Sequence, residues 1–138
     1  MADIRQVSDR FWVAPQIDLQ DFPQLASAGF QHIINNRPDG EAPGQPTSTE
    51  AAAAARAAGM TYVHAPFVGQ PTADAVRAAL NASGKTLAYC RSGTRSVTAW
   101  AMSEASQGEE AQLIVEAAAD AGYNLASMAN LLKQLGAK

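Results

Sequence analysis

The chain has 138 residues and a mass of 14.4 kDa, with 47% hydrophobic and 17% charged side chains and a net charge of −3 at pH 7. This composition predicts a single folded domain over residues 1–138 and excludes a disordered chain. The acidic balance predicts no nucleic-acid binding, and the apolar runs are too short to cross a membrane. The N-terminus has no hydrophobic signal core and the chain has one cysteine. We therefore expect a cytoplasmic protein without disulfides, metal or cofactor.

The first third of the chain predicts a hairpin, a helix, a strand and a loop. The hairpin comprises residues 4–7 and 11–14, joined by a turn at residues 8–10. Asp18 and Asp21 form an imperfect capping box for a helix that ends at Gly29. A buried strand is expected at residues 30–35. The prolines and glycines of residues 37–46 then indicate a loop.

The rest of the chain alternates strands with helices. Thr47 with Glu50, Thr72 and Asn124 are expected to cap helices. The predicted elements are helices at residues 48–58, 73–81, 96–106, 109–121 and 125–135, a mostly buried strand at 60–66 and a strand at 85–89. This alternation indicates an α/β fold with a central, mostly parallel sheet and helices on both faces.

Three loops are expected on one rim of this sheet, because the functional crevice of such sheets lies at the carboxyl ends of the strands. These loops comprise residues 36–46, 67–71 and 90–96. The third contains the only cysteine, Cys90, directly after a predicted strand and before a predicted helix. The rim is therefore where chemistry is expected.

The cysteine loop has the residues of an anion-binding site with a nucleophile at its floor. Backbone N–H groups, the following helix N-terminus and two arginines all favour the thiolate form of Cys90 over the thiol. Gly93 permits tight curvature, and Ser96 could donate a hydrogen bond to the sulfur. The candidate catalytic residues are Cys90, Arg95 and Ser96, and the candidate substrate-binding residues in the loop are Arg91, Ser92, Gly93 and Thr94. A buried apolar cysteine, the ordinary alternative, would not call for two adjacent guanidinium groups.

Two motifs carry a resemblance to a known family. Residues 35–41, NNRPDGE, and 89–96, YCRSGTRS, resemble a bacterial family known both as phosphatases and as sulfurtransferases, the β-lactamase hydrolase-like phosphatase domain. The resemblance implies a dual-specificity-phosphatase-like fold and a possible partner, a metallo-β-lactamase-fold persulfide dioxygenase. It also implies that Arg37 and Asp39 face the cysteine loop, where they bind substrate or anchor Arg95. The alternative, a turn with solvated charges, is preferred for Glu41.

Two features favour sulfur chemistry over phosphate chemistry. Cysteine phosphatases resemble one another in placing an arginine six positions after the cysteine, whereas Arg95 is five positions after Cys90, as in rhodaneses. Residues 67–71 also contain no carboxylate, although phosphatases of this fold usually carry an aspartic acid there to protonate the leaving group. Asp74, a few residues later, has the position of a first-turn helix residue.

The sequence thus predicts a rhodanese-type sulfurtransferase. Cys90 would take sulfur from thiosulfate or a small persulfide and pass it to a thiol, sulfite or cyanide. The first alternative is a phosphatase that hydrolyses phosphate esters through a phosphocysteine, with Asp74 or Asp39 as the acid. The second alternative is a binding module in which Cys90 senses oxidation. All three hypotheses require a small anion at the cysteine loop.

Overall fold

The computed structural model describes residues 2–138, and its centre is one five-stranded sheet with the order β1-β2-β5-β3-β4. The strands are β1 (Arg5–Gln6), β2 (Phe11–Ala14), β3 (His32–Asn35), β4 (Thr61–His64) and β5 (Thr86–Tyr89). Strand β1 pairs antiparallel with β2, and every other pair is parallel. The predicted hairpin and the mostly parallel sheet are therefore confirmed.

The register of the three central strands determines which segments surround the cysteine. Tyr89, the last residue of β5, lies opposite Ala14 of β2 on one side and opposite Asn35 of β3 on the other. Cys90 therefore leaves the sheet between the segments that follow β2 and β3. Those segments begin at residues 15 and 36, so their side chains are the nearest available neighbours of the cysteine loop.

Within residues 2–138, six α-helices connect and cover the strands. They are α1 (Phe22–Ser27), α2 (Ser48–Ala57), α3 (Ala73–Asn81), α4 (Thr94–Ser106), α5 (Ala111–Asp120) and α6 (Ala129–Gln134). Short 3-10 turns at Leu19–Asp21 and Ala126–Met128 precede α1 and α6, so both predicted helices have shorter α-helical parts than expected. Near the first of these, Pro23 has no N–H to donate, which favours a helix start at that point. No helix between residues 2 and 138 is long and apolar enough to cross a membrane.

Each face of the sheet has its own hydrophobic core, because successive strand side chains point to opposite faces. Ile33 and Leu87 point to the face covered by α1 and α2, where Leu25 and Ala55 are buried. Neighbouring strand residues point the other way and pack with α4, α5 and α6; this second core includes Val13, Ile34, Ala88, Val97, Trp100, Ile114 and Leu132. Helices on both faces were predicted, and the structure confirms them.

Strand β4 differs from its prediction. The sequence indicated a mostly buried strand, but β4 lies at the edge of the sheet and pairs only with β3. Its residues alternate between exposed and half-buried, and Val63 is 36% exposed. The prediction was wrong because the apolar residues of this segment gave no information about the order of the strands.

Candidate active site

Cys90 lies at the carboxyl end of β5, fully buried beneath the loop that follows it. Its own N–H donates to the Ala14 carbonyl oxygen at 3.3 Å, and the Gly93 N–H donates to its Sγ at 3.1 Å. Gly93 has φ of +94°, a left-handed conformation that suits glycine, and it is the N-cap of α4. The helix begins at Thr94, two residues before the predicted start, so its positive end lies next to the sulfur.

Two groups from other segments, one backbone N–H and one side-chain hydroxyl, bind the carbonyl groups of the cysteine loop on its outer side. The Gln16 N–H donates to the Arg91 carbonyl oxygen at 3.2 Å, and the Tyr123 hydroxyl donates to the Ser92 carbonyl oxygen at 3.1 Å. The carbonyl and N–H of one trans peptide unit point in opposite directions. The N–H groups of Ser92 and Gly93 are therefore turned inward, as the contact of Gly93 with Sγ requires.

Arg95 lies beside Cys90 and keeps one guanidinium edge that no residue in the described part of the chain uses. A guanidinium has five N–H donors, and three of them are used within the protein. Nη1 and Nη2 bind the two carboxylate oxygens of Glu41 at 2.9 and 2.8 Å, and Nη1 also donates to the Phe67 carbonyl oxygen at 3.2 Å. The two remaining donors, on Nε and Nη2, share one edge of the planar group. That edge has the geometry to bind two oxygens of an anion.

Glu41 fixes the orientation of this guanidinium. It accepts hydrogen bonds from Arg95 and also from Arg37 Nε, at 2.9 Å. The hydrogen bond from Arg95 is the main cause that lowers the pKa of Glu41 to about 2, with a smaller effect from Arg37. The same bond with Glu41 raises the pKa of Arg95, and the neighbouring Cys90 raises it further. The interpretation of Glu41 as a solvated turn residue was therefore wrong.

Arg37 and Asp39 occupy different positions around this ion pair. The Arg37 side chain is only 5% exposed and its Nη1 donates to Gln16 Oε1 at 3.0 Å, so it reaches Arg95 through Glu41 alone. Asp39 is exposed, and its Oδ1 accepts a hydrogen bond from the Ser48 N–H at the start of α2. The structure therefore brings Arg37 next to the cysteine loop, whereas Asp39 lies at the N-terminus of α2.

Ser96 and Asn36 join the cysteine helix to the neighbouring strand ends. The Ser96 hydroxyl donates to Asn36 Oδ1 at 2.8 Å, so it does not make the expected hydrogen bond to sulfur. Asn36 Nδ2 donates to the Ala65 carbonyl oxygen at 3.0 Å, and the Asn36 N–H donates to the Tyr89 carbonyl oxygen at 2.8 Å. Asn36 is thus a central connection that the sequence did not reveal by itself, although it belongs to the NNRPDGE motif.

The remaining residues of the cysteine loop are open to solvent. Arg91, Ser92 and Thr94 are exposed, and the Ser92 hydroxyl donates to Thr94 Oγ1 at 3.1 Å. Arg91 forms no ion pair with any residue that the structure describes. Within residues 2–138, no three His, Cys, Asp or Glu side chains lie close enough together to hold a metal ion. The loop thus offers inward N–H groups, one free guanidinium edge and an exposed arginine.

A buried cysteine after a parallel strand, a loop of inward N–H groups and an arginine on the next helix define a cysteine-phosphatase-like domain. The family model described as "Beta-lactamase hydrolase-like protein, phosphatase-like domain" matches residues 3–108. The chain therefore belongs to this family.

Known proteins similar to this chain support the same class. A beta-lactamase hydrolase-like protein of Agrobacterium fabrum is 37% identical over 108 residues, which are 75% of this chain and 25% of that protein. The chain spans a quarter to a third of the length of the curated relatives that it matches.

Solved structures extend the likeness to the fold. A protein of Neisseria meningitidis Z2491, described as a putative phosphatase, is 30% identical, with a TM-score of 0.81 over 96% of this chain and 98% of that one. The kinase associated phosphatase, solved with its catalytic cysteine replaced by serine, has a TM-score of 0.73 over 97% of this chain and 92% of its own. At 16% identity this second likeness shows the fold alone. The expected dual-specificity-phosphatase-like fold is confirmed.

The prediction of a rhodanese-type sulfurtransferase was wrong. The family and the Neisseria protein, which is similar over nearly the whole chain, are both described as phosphatases or phosphatase-like. The prediction used the number of residues between Cys90 and Arg95 to infer the size of the anion that the site binds. In the structure, however, Arg95 belongs to the first turn of α4 and Glu41 holds its guanidinium from another loop. Loop length alone therefore does not determine where the guanidinium lies.

Proposed function

We propose that this chain is a cysteine-dependent phosphatase that hydrolyses phosphate monoesters through a phosphocysteine on Cys90. The observation that carries the proposal is the free edge of Arg95. Glu41 and Phe67 use three of its donors and leave Nε and one Nη2 hydrogen to bind two phosphoryl oxygens. The remaining phosphoryl oxygen would accept from the inward N–H groups of the cysteine loop, as anions do at a helix N-terminus.

The reaction has two steps at one sulfur. In the first, the Cys90 thiolate attacks phosphorus, a P–S bond forms, and the P–O bond to the leaving group breaks. In the second, water attacks the phosphocysteine and the P–S bond breaks, which releases inorganic phosphate and restores the thiolate. Both transition states spread negative charge over the phosphoryl oxygens, where Arg95 and the loop N–H groups stabilise it.

The other candidate residues have different roles in this proposal: some would contact the anion, and others hold the residues that do. The N–H groups of Ser92 and Gly93 supply donors to the anion, and the exposed Arg91 is placed to attract an anionic substrate. The Thr94 N–H donates to Ser92 Oγ at 3.4 Å and so supports the shape of the loop. Ser96 acts by fixing α4 to Asn36 rather than by touching the sulfur. Arg37 acts through Glu41. Asp39 has the least support as a substrate-binding residue, because its hydrogen bond is with the N-terminus of α2.

Hydrolysis of p-nitrophenyl phosphate tests the proposal. Cys90→Ser keeps the shape of the side chain and should lower kcat by at least about 10⁴-fold, because a serine hydroxyl is a far weaker nucleophile here. Acid quenching during turnover should trap wild-type protein with the mass of one added phosphoryl group. Unchanged turnover by Cys90→Ser, or none by the wild type on any aryl phosphate, would rule the proposal out.

A second pair of variants tests the arginine. Arg95→Lys keeps the charge but removes the two-donor edge, and it should lower kcat/KM about 10²-fold or more. Arg10→Lys is the matched control, since Arg10 is exposed at the opposite end of the sheet, where its carbonyl oxygen accepts from the Thr86 N–H. This control should behave as the wild type. Equal effects of the two variants would contradict a special role for Arg95.

The location and partners of the protein stay predictions. No residue in the range 2–138 bears on the proposed metallo-β-lactamase-fold partner, on nucleic-acid binding or on the cytoplasmic location. A single domain over residues 1–138 is also still a prediction. The small anionic substrate is part of the proposal above, in the form of a phosphate ester.

A further inference from the structure

Glu41 and the two candidate acids, Asp39 and Asp74, are all engaged in other contacts. Glu41 binds Arg95 and Arg37, and these hydrogen bonds keep it ionised at neutral pH. Asp39 accepts from the Ser48 N–H at 2.8 Å. Asp74 binds Arg77 Nη2 at 2.6 Å on the exposed surface of α3. Each of these carboxylates thus serves as a hydrogen-bond acceptor for another group of the protein.

The loop at residues 67–71 reaches the active site but brings no acid to it. The Phe67 carbonyl oxygen accepts from Arg95 Nη1, which places the start of this loop against the guanidinium. The next residue, Val68, is 76% exposed, and Gly69, Gln70 and Pro71 complete the loop. An exposed apolar side chain therefore stands beside the Arg95 contact, and the loop contains no ionisable side chain.

The two hydroxyl groups that connect the cysteine loop and α4 to other segments, those of Tyr123 and Ser96, are also occupied. Tyr123 donates its proton to the Ser92 carbonyl oxygen, and Ser96 donates its proton to Asn36. In both hydrogen bonds the acceptor is another group of the protein. Neither group is free to give a proton to an oxygen that leaves phosphorus.

From these contacts we propose that the site accepts only phosphate esters whose leaving group departs as an anion, namely aryl esters and mixed anhydrides rather than alkyl esters. This rests on the phosphatase function proposed above. When Cys90 attacks, the P–O bond breaks and its electron pair stays on the departing oxygen. A phenol has a pKa of about 10, so its anion leaves readily and takes a proton from water afterwards. An alkoxide resembles hydroxide, whose parent acid has a pKa near 16, and needs a proton as it departs.

A series of aryl phosphates that differ in leaving-group pKa tests this inference. The wild-type kcat/KM, which reports the first chemical step, should fall about five- to tenfold for each unit of leaving-group pKa. An alkyl phosphate such as glycerol phosphate should react at least about 10³-fold more slowly than phenyl phosphate. A flat series, or an alkyl ester within tenfold of phenyl phosphate, would overturn the inference. Absence of turnover on every aryl phosphate would instead overturn the phosphatase function itself.

Removal of the candidate acids gives an independent test. Asp74→Asn should leave both the rate and the dependence on leaving-group pKa as in the wild type, because Asp74 faces Arg77 and solvent. Asp39→Asn should leave that dependence unchanged whatever its effect on rate. If either variant made the dependence steeper, or removed a basic limb from the pH profile, that carboxyl would be the acid and the inference would fail.

Discussion

The cysteine loop and the loop at residues 36–46 face each other across the active site but are held in different ways. The cysteine loop is fixed mainly by backbone N–H groups, through the contacts of Cys90 with Ala14, of Gln16 with Arg91, and of Gly93 with the sulfur, and the Tyr123 hydroxyl adds one side-chain contact. The opposite loop is fixed by side chains. Glu41 binds Arg95, and Gln45 donates to the Pro38 carbonyl oxygen at 2.9 Å.

This difference separates two properties of the site. The backbone contacts determine where the sulfur and its N–H donors lie, so most side-chain changes in the cysteine loop should leave them intact. The orientation of the guanidinium depends on charged side chains, so one substitution or a low pH can change it. The nucleophile and its arginine should therefore respond independently to perturbation.

Among changes to the groups that hold the two loops in place, the largest effect is expected from Gly93→Ala, because it alters the backbone that positions the sulfur of Cys90. A Cβ at Gly93 would overlap the Tyr123 hydroxyl and would require a left-handed residue with φ of +94°. We expect kcat to fall about 10²-fold or more and stability to fall by about 2 kcal/mol or more. Activity assays and urea unfolding would measure both.

Gly59→Ala provides the matched control for this prediction. Gly59 has φ of +87°, but nothing lies within 4 Å of the position of its Cβ. It should lose about 1–2 kcal/mol of stability from backbone strain and keep wild-type kcat. Equal kcat values for the two variants would show that the contact with Tyr123 is irrelevant to catalysis.

The second-largest effect is expected from Glu41→Gln, which changes the contacts that orient Arg95 and leaves those of the cysteine loop backbone in place. An amide cannot accept two charged hydrogen bonds as a carboxylate does, so Arg95 should lose its fixed orientation. We expect kcat/KM to fall about 10- to 100-fold, while the rate of alkylation of Cys90 by iodoacetamide changes less than threefold. Glu116→Gln, on the exposed side of α5, is the control and should change neither. A parallel loss of thiol reactivity would contradict the view that the cysteine and the guanidinium are held independently.

A smaller effect is expected in the pH dependence of stability. The pKa of Glu41 is lowered to about 2 from an ordinary value of 4.5. A lowered pKa stabilises the fold fully above the unfolded value, and this contribution is lost as the pH falls from about 5 toward 2. Wild-type protein should lose about 2 kcal/mol more than Glu41→Gln over this interval. Thermal unfolding at a series of pH values measures the difference, and parallel curves would contradict the prediction.

The smallest effect is expected from Tyr123→Phe, which removes one hydrogen bond from the outer side of the cysteine loop. The ring remains, so stability should change by less than about 1 kcal/mol. The Ser92 carbonyl oxygen loses its donor, and we expect kcat to fall about three- to tenfold with little change in KM. A change in KM alone would instead indicate that Tyr123 contacts the substrate.

The sequence predicted the parts of the site that depend on neighbours in the chain. Hydrophobic runs, capping residues and turn residues located every strand and helix of the structure, and the strand–Cys–helix pattern located the nucleophile. It did not predict the pairs that are distant in sequence. Arg95 is 54 residues from Glu41, and Ser96 is 60 residues from Asn36. Such contacts follow from strand order and register, which local patterns do not encode.

The choice between sulfur and phosphate had the same weakness. It used a residue count within one loop to infer the shape of a site that two loops build. Glu41, the residue that orients Arg95, was in the motif that carried the family resemblance. The turn residues around Glu41 gave no reason to single it out, because its partner, Arg95, lies on a different element.

Tyr123 lies outside residues 3–108, the part of the chain that identifies its family. So do α5, α6 and the segment between them, whose buried residues Ile114, Leu132 and Leu125 complete the core that packs against α4. A shortened gene product that ends at residue 108 would keep every recognisable motif. It would nevertheless uncover that core and lose the tyrosine that braces the cysteine loop. The span that the family model matches is thus shorter than the span that buries this core and supports the cysteine loop.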